Sequence, residues 1–181
     1  VSASLQDLVK RHVGIYGDIR SLPDKAAIQM NDTHPAIAVA ELMRMLIDVR
    51  GIEWEEAWDI TVRTLSYTNH TLLPEAIEAW PVQLFERMLP RHMQIIYAIN
   101  ARHLDNIRQH QVSDEEVASL SVIEEHRGRY VRMGHLAFLG SHRVNGVSAL
   151  HTELLRKTVF KDLHKLYPDR IVNKTNGITF R

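Results

Sequence analysis

Helical spacing runs through most of this chain and gives way at three short apolar runs, and that alternation most limits what it can fold into. The runs are residues 26–30 (AAIQM), 130–140 (YVRMGHLAFLG) and the segment DRIVNKTNG beginning at Asp169. Each reads as a strand. Between them lie apolar stripes of helical period. Leu5, Leu8, Val9 and Val13 mark a first helix, with Ser4 and Asp7 resembling a capping box. Pro35 suits the first turn of a second helix, where a missing N–H costs nothing; its stripe is Ile37, Leu42, Met43, Leu46 and Ile47, ending near Gly51. A third starts near Glu53 and carries Trp54, Ala57, Trp58 and Leu65. Pro81 opens another and Pro90 breaks it. Ile95, Ile96, Ile99, Leu104 and Ile107 then mark a long helix, and Ser113 with Glu116 forms a second capping box. VSALHTELLRK and VFKDLHKLY read as short amphipathic helices. The stretch 67–71 (YTNHT) reads as a turn between helices. Helices alternating with strands favour an α/β layer with a parallel sheet. The helical section between the first and second strands is longer than one crossover needs.

Twenty-two basic residues balance twenty-two acidic ones, and there is no cysteine. No basic excess points to nucleic acid. Disulfides, zinc thiolates and a cysteine nucleophile are excluded. No apolar run approaches the roughly 20 residues that span a bilayer, so neither membrane nor nucleic acid is expected as a partner. The chain begins at Val1 and stops at Arg181 just after a motif, which reads as one segment of a longer polypeptide.

Four polar clusters stand out: NDTH (31–34), TNHT (68–71), VNG (144–146) and KTNG (174–177). The first and last follow expected strands, and open α/β sheets bind ligands outside the carboxyl ends of their strands. Turn chemistry accounts for part of this, since Asn, Asp and Gly suit turns. The inventory is amides, hydroxyls, one Asp and imidazoles, groups that donate and accept without committing a full charge. It suits a polyhydroxyl ligand such as a sugar better than phosphate, which wants Arg, Lys or a glycine-rich nest. The eleven histidines show no metal-binding pair on a helix; His12, His103 and His110 sit among charged helical residues and are expected in solvent. Asp32 and Glu75 could serve as glycosidase carboxylates, or could lie at helix starts, Asp32 as the cap before Pro35. Trp54, Trp58 and Trp80 could stack on sugars, but the spacing of the first two favours the core.

At these clusters the sequence resembles a known family. AIQMNDTHPAIAVAELMRMLID, YTNHTLLPEAIEAWPVQLFERMLPRHMQIIYAIN, GSHRVNGVSALHTELL and NKTNGIT closely resemble the α-glucan phosphorylases, the glycogen, starch and maltodextrin phosphorylases. The likeness covers essentially the whole chain and looks bacterial rather than animal. It implies a GT-B arrangement, two Rossmann-like domains facing across a cleft, with residues 1–181 as the C-terminal portion of the N-terminal domain: helix-rich, with a small, mostly parallel sheet. It implies a cytoplasmic, homodimeric enzyme that cleaves a terminal α-1,4-linked glucose with inorganic phosphate to give glucose 1-phosphate. Pyridoxal phosphate is held in that family by a lysine of the other domain.

Residue by residue, His70 matches the histidine whose backbone carbonyl and ring lie beside the reacting glucose. Asn176 matches the asparagine that hydrogen-bonds the same sugar. Asp32, Thr33 and His34 match a segment lining the cleft near the acceptor sugars, and Glu75 and Ala76 match a turn bordering it. The acid–base groups and the cofactor lysine have no counterpart here. Phe180 stands where the family usually has proline. A non-catalytic carbohydrate-binding module, or a hydrolase using Asp32 and Glu75, are the competing readings.

Overall fold

The computed structural model describes residues 1–73, 76–109, 113–125 and 128–180. In chain order the elements are α1 (Ser2–Tyr16), a 3-10 turn (Ile19–Ser21), α2 (Leu22–Lys25), β1 (Ile28–Asn31) and α3 (Ala38–Arg44), which runs into a π-helical turn (Met45–Val49). Then come α4 (Trp54–Thr64), β2 (Leu65–Thr68), β3 (Ala79–Pro81), α5 (Val82–Met88), α6 (Pro90–Arg108) and α7 (Asp114–Leu120). The last are β4 (Ile123–Glu124), β5 (Tyr130–Arg132), α8 (Met133–Leu139), β6 (Arg143–Gly146), α9 (Ala149–Lys157), α10 (Lys161–Leu166) and β7 (Ile171–Asn173). Among the described residues, β1-β2-β6-β7 form an all-parallel sheet in that order and β3-β5-β4 a small antiparallel one.

The parallel sheet is two-faced because its side chains alternate. Met30, Leu65, Tyr67 and Val144 are buried on one face. Tyr67 meets the edge of Phe160 with ring centroids 6.2 Å apart, and Phe160 meets Phe138 of α8 at 5.2 Å. Burial drives the Tyr67 phenol well above its ordinary range, and Asn69 Nδ2 donates to its oxygen at 2.9 Å. The other face is polar: Gln29 Nε2 donates to Thr68 Oγ1 at 2.8 Å, and Thr68 Oγ1 donates to Asn145 Oδ1 at 2.8 Å.

Several sequence expectations change. Residues 65–68 are not the end of a helix and a turn but β2, the strand between β1 and β6. The VNG cluster falls in β6 rather than in a turn. Residues 130–140 split into the short strand β5 and the helix α8, because an apolar run buried all round fits either period. The helix α1 begins at Ser2, ahead of Ser4, and carries no side-chain cap. Pro35 lies in the tight turns before α3, its carbonyl accepting from Ala38 N at 2.8 Å. The Ser113–Glu116 box is present at α7.

His12 and His103 are buried rather than solvated. His12 Nε2 lies 3.0 Å from both Asp18 O and Ser21 Oγ. His110 lies outside the described residues. Trp54 and Trp58 are half-buried on the rim of a cavity of about 250 Å³ that Arg102, His103, Tyr167 and Arg170 also line. Arg102 covers the Trp54 ring at 4.3 Å.

Candidate functional site

Register brings the polar clusters together. Asn31 pairs with Thr68, Thr68 with Asn145, and Gly146 with Asn173, so these residues end neighbouring strands at one edge of the sheet. The ladder continues one step into the loops. Asp32 N donates to Thr68 O at 2.9 Å, Asn69 N to Asn145 O at 3.0 Å, and Lys174 N to Gly146 O at 3.1 Å. The segments after β1, β2, β6 and β7 therefore leave the sheet side by side. This is the edge where open α/β sheets hold ligands.

The segments leaving that edge carry Asp32, Thr33, His34, His70 and Asn176. Asn69 is fully buried; its Nδ2 is spent on Tyr67, and its Oδ1 accepts from Thr71 N at 3.0 Å. Pinned in this way, the loop carries His70 outward, exposed, with Nε2 2.6 Å from Asn31 Oδ1. Asn176 is exposed and tethered by its backbone N–H to Val147 O at 2.9 Å. Asp32 has a φ of 62°, the left-handed region that Asp tolerates better than most residues. Its Oδ1 accepts from Thr33 N at 2.7 Å, so it stabilises its own turn and does not cap α3.

Thr33 is buried and donates its hydroxyl to Glu78 Oε2 at 2.7 Å. That hydroxyl braces the loop. His34 is mostly exposed, with Nδ1 3.4 Å from the same Glu78 oxygen. Ala76 is exposed, its N–H donating to Leu73 O at 3.0 Å. Glu75 lies outside the described residues.

Four contributors escaped the sequence reading. Asn31 was seen only as one letter of a polar cluster. Glu78 ties the segment before β3 to the loop after β1. Ser148 caps α9, its hydroxyl accepting from His151 N at 3.1 Å. His151 Nδ1 accepts from Val147 N at 3.1 Å. Burial, first, and the charge of a protonated His70 push the His151 pKa down, while the Thr71 backbone opposes this. The Ser-x-x-His spacing of a capped helix start was the one available signal for this pair.

The edge thus presents imidazole rings, amides and one carboxylate, held by a buried polar frame. It can orient a ligand rich in hydroxyl groups. Only Lys174 brings a full positive charge to the four clusters.

The family model for carbohydrate phosphorylases matches residues 1–181. The chain is 50% identical over 190 aligned residues to the brain form of glycogen phosphorylase from Bos taurus and to that from Homo sapiens, covering all of this chain and 22% of each relative. It is 49% identical to the muscle form from Homo sapiens, again over the whole chain and 23% of that protein. The chain therefore belongs to the carbohydrate phosphorylase family, whose fold is GT-B, and its helix-rich layer on a parallel sheet is part of that fold.

Proposed function

We propose that this chain is the sugar-orienting wall of an α-1,4-glucan phosphorylase, the C-terminal portion of its N-terminal domain. The whole protein transfers the terminal glucose of an α-1,4-glucan to inorganic phosphate, giving glucose 1-phosphate, and works as a cytoplasmic homodimer. The observation that carries this reading is the convergence of His70, Asp32, His34 and Asn176 on one sheet edge, in a family whose named relatives are glycogen phosphorylases.

The proposed roles are those the family resemblance implies, and the exposure of His34, His70 and Asn176 at one end of the sheet supports them. His70 and Asn176 hold the reacting glucose through hydrogen bonds to its hydroxyls. Asp32 and His34 are assigned to the sugars on the acceptor side and Ala76 to the border of the same cleft, and the resemblance gives Glu75 that same role. Thr33 fixes the loop from within. Holding the ring in a reactive orientation is an entropic contribution. Hydrogen bonds to hydroxyls that strengthen as positive charge develops on the ring add several kcal/mol.

Pyridoxal phosphate, the cofactor of the resemblance, supplies the acid–base group of phosphorolysis when bound. The residues here do not fit its covalent attachment. Lys10, Lys25, Lys157, Lys161, Lys165 and Lys174 are all exposed, so no buried amine is available for a Schiff base. The cofactor is accordingly assigned to a part of the enzyme beyond these residues, and no step is derived through it.

Phosphate dependence tests the reading. The full-length enzyme is expected to form glucose 1-phosphate from maltodextrin and phosphate and to release no free glucose. Glucose release by water would favour the hydrolase reading with Asp32 and Glu75. His70→Ala in that enzyme is expected to lower kcat and kcat/KM together by about 10- to 100-fold, about 1.4–2.7 kcal/mol of transition-state stabilisation. A change confined to KM would count against the role given to His70.

A further inference from the structure

We infer that Asn31 is a positioning residue for His70: it fixes the rotamer and tautomer of the ring, so that Nδ1 meets the ligand as a hydrogen-bond acceptor. The inference rests on the reading of His70 as a sugar contact. Nε2 of His70 lies 2.6 Å from Asn31 Oδ1. An amide oxygen only accepts, so Nε2 carries the proton. A neutral imidazole then has its lone pair on Nδ1. Among the described residues Nδ1 makes no hydrogen bond, and the ring is exposed at the ligand-facing edge.

Asn31 is well placed to impose this. It is the last residue of β1, in register with Thr68, and the next residue's N–H is bonded to Thr68 O at 2.9 Å. Asn69 holds the His70 loop from the other side through the buried Tyr67 hydroxyl and Thr71 N. Two adjacent strand ends therefore fix the two partners of one hydrogen bond. An exposed histidine without that bond would sample other rotamers and either tautomer. His151, close enough for its pKa to feel the His70 charge, is itself biased toward the neutral form by burial, so it adds little positive charge behind the ring. A ring held in this tautomer selects a group that donates, such as a sugar hydroxyl, over one that only accepts.

The test uses the full-length enzyme, assayed near pH 8 for glucose 1-phosphate formation from maltodextrin. Asn31→Leu removes the acceptor, and Asn31→Asp replaces it with a carboxylate that can only accept. Asn31→Leu is expected to lower kcat/KM about tenfold, mostly in kcat, and Asn31→Asp to stay within about threefold of the parent. The double variant His70→Ala with Asn31→Leu is expected to match His70→Ala alone, because Asn31 acts through the ring. Asn31→Asp as poor as Asn31→Leu would overturn the tautomer, since a carboxylate cannot donate to Nε2. A double variant showing the full product of the two losses would overturn the coupling. If His70→Ala costs activity and Asn31→Leu does not, Asn31 alone loses its role. If His70→Ala costs nothing, the sugar-contact reading fails and this inference with it.

Discussion

A carboxylate that is almost fully buried needs partners for its charge, and Glu41 on α3 has three. Arg44 donates from Nε at 2.8 Å and Nη2 at 3.0 Å, Ser2 Oγ donates at 2.6 Å, and His92 Nε2 lies at 2.6 Å. Arg44, then Ser2 and His92, hold the carboxyl down at about 2 against an ordinary 4.5. A depressed acid stabilises the fold above its unfolded pKa and loses that contribution as pH falls toward the folded one. Glu41→Gln is therefore expected to cost about 2–3 kcal/mol at neutral pH. In urea titrations of the parent and the variant, the gap should close between about pH 4.5 and pH 2, the window of the shift. A gap that stays constant across that window would refute the pairing.

Buried His103 works in a higher window. Burial, aided by Arg170 and opposed by the Leu120 backbone, lowers it from 6.5 to about 4. Between those pH values the unfolded chain binds the proton and the folded one does not, so stability falls as pH drops. His103→Phe should remove up to about 3 kcal/mol of that loss, measured as a flatter urea midpoint between pH 6.5 and 4. The signal for its burial was present in the sequence. His103 follows Ile96 and Ile99 at seven and four residues, and His12 follows Leu5 and Val9 at seven and three. Both lie on apolar helix faces. Charged neighbours in sequence hid this, because neighbours along a helix point in other directions.

At the scale of elements, the strands at the centre of the sheet were the hardest to read. Leu65 and Tyr67 alternate with Ser66 and Thr68 over only four residues, directly after α4 with no glycine or proline between. A signal that short is lost in the helical pattern before it. In β6 the Asn-Gly pair mimics turn chemistry, yet Gly146 is there for space. A Cβ on it would sit 2.4 Å from Thr152 Oγ1 and 2.8 Å from Thr152 Cα, so α9 packs directly onto the strand end. Gly146→Ala must move the first turn of that helix, where Ser148 and His151 frame the site. The expected cost is about 2–4 kcal/mol, read as a lower thermal midpoint. Activity should fall further than stability explains, since the Val147 carbonyl that tethers Asn176 moves too. An alanine variant with parental melting would show that α9 yields easily. The helix α7 was legible from its capping box, and α9 and α10 from their amphipathic stripes.

At the scale of the whole molecule, the parallel sheet is covered on one face by its own helices, while the other carries the polar row Gln29, Thr68 and Asn145. Parallel sheets are ordinarily covered on both faces. The chain also spans only 22–23% of its relatives' length. The motifs made the candidate site residues legible without coordinates, because each sits within a contiguous stretch. What sequence could not show was the frame that joins them, Asn31 to His70 and Glu78 to Thr33, partners 39 and 45 residues apart. That frame is built of amides, a hydroxyl, imidazoles and a carboxylate, and every lysine of residues 1–181 is exposed. Residues 1–181 expressed alone are accordingly expected to show no absorbance from covalently bound pyridoxal phosphate and to form no glucose 1-phosphate from maltodextrin and phosphate. Maltoheptaose titrated into that polypeptide should bind more weakly than micromolar, because hydroxyl contacts from one wall leave the ligand half solvated and must offset its lost freedom alone. Micromolar binding would make this segment an autonomous carbohydrate-binding module, and turnover by it would place the whole reaction within these residues.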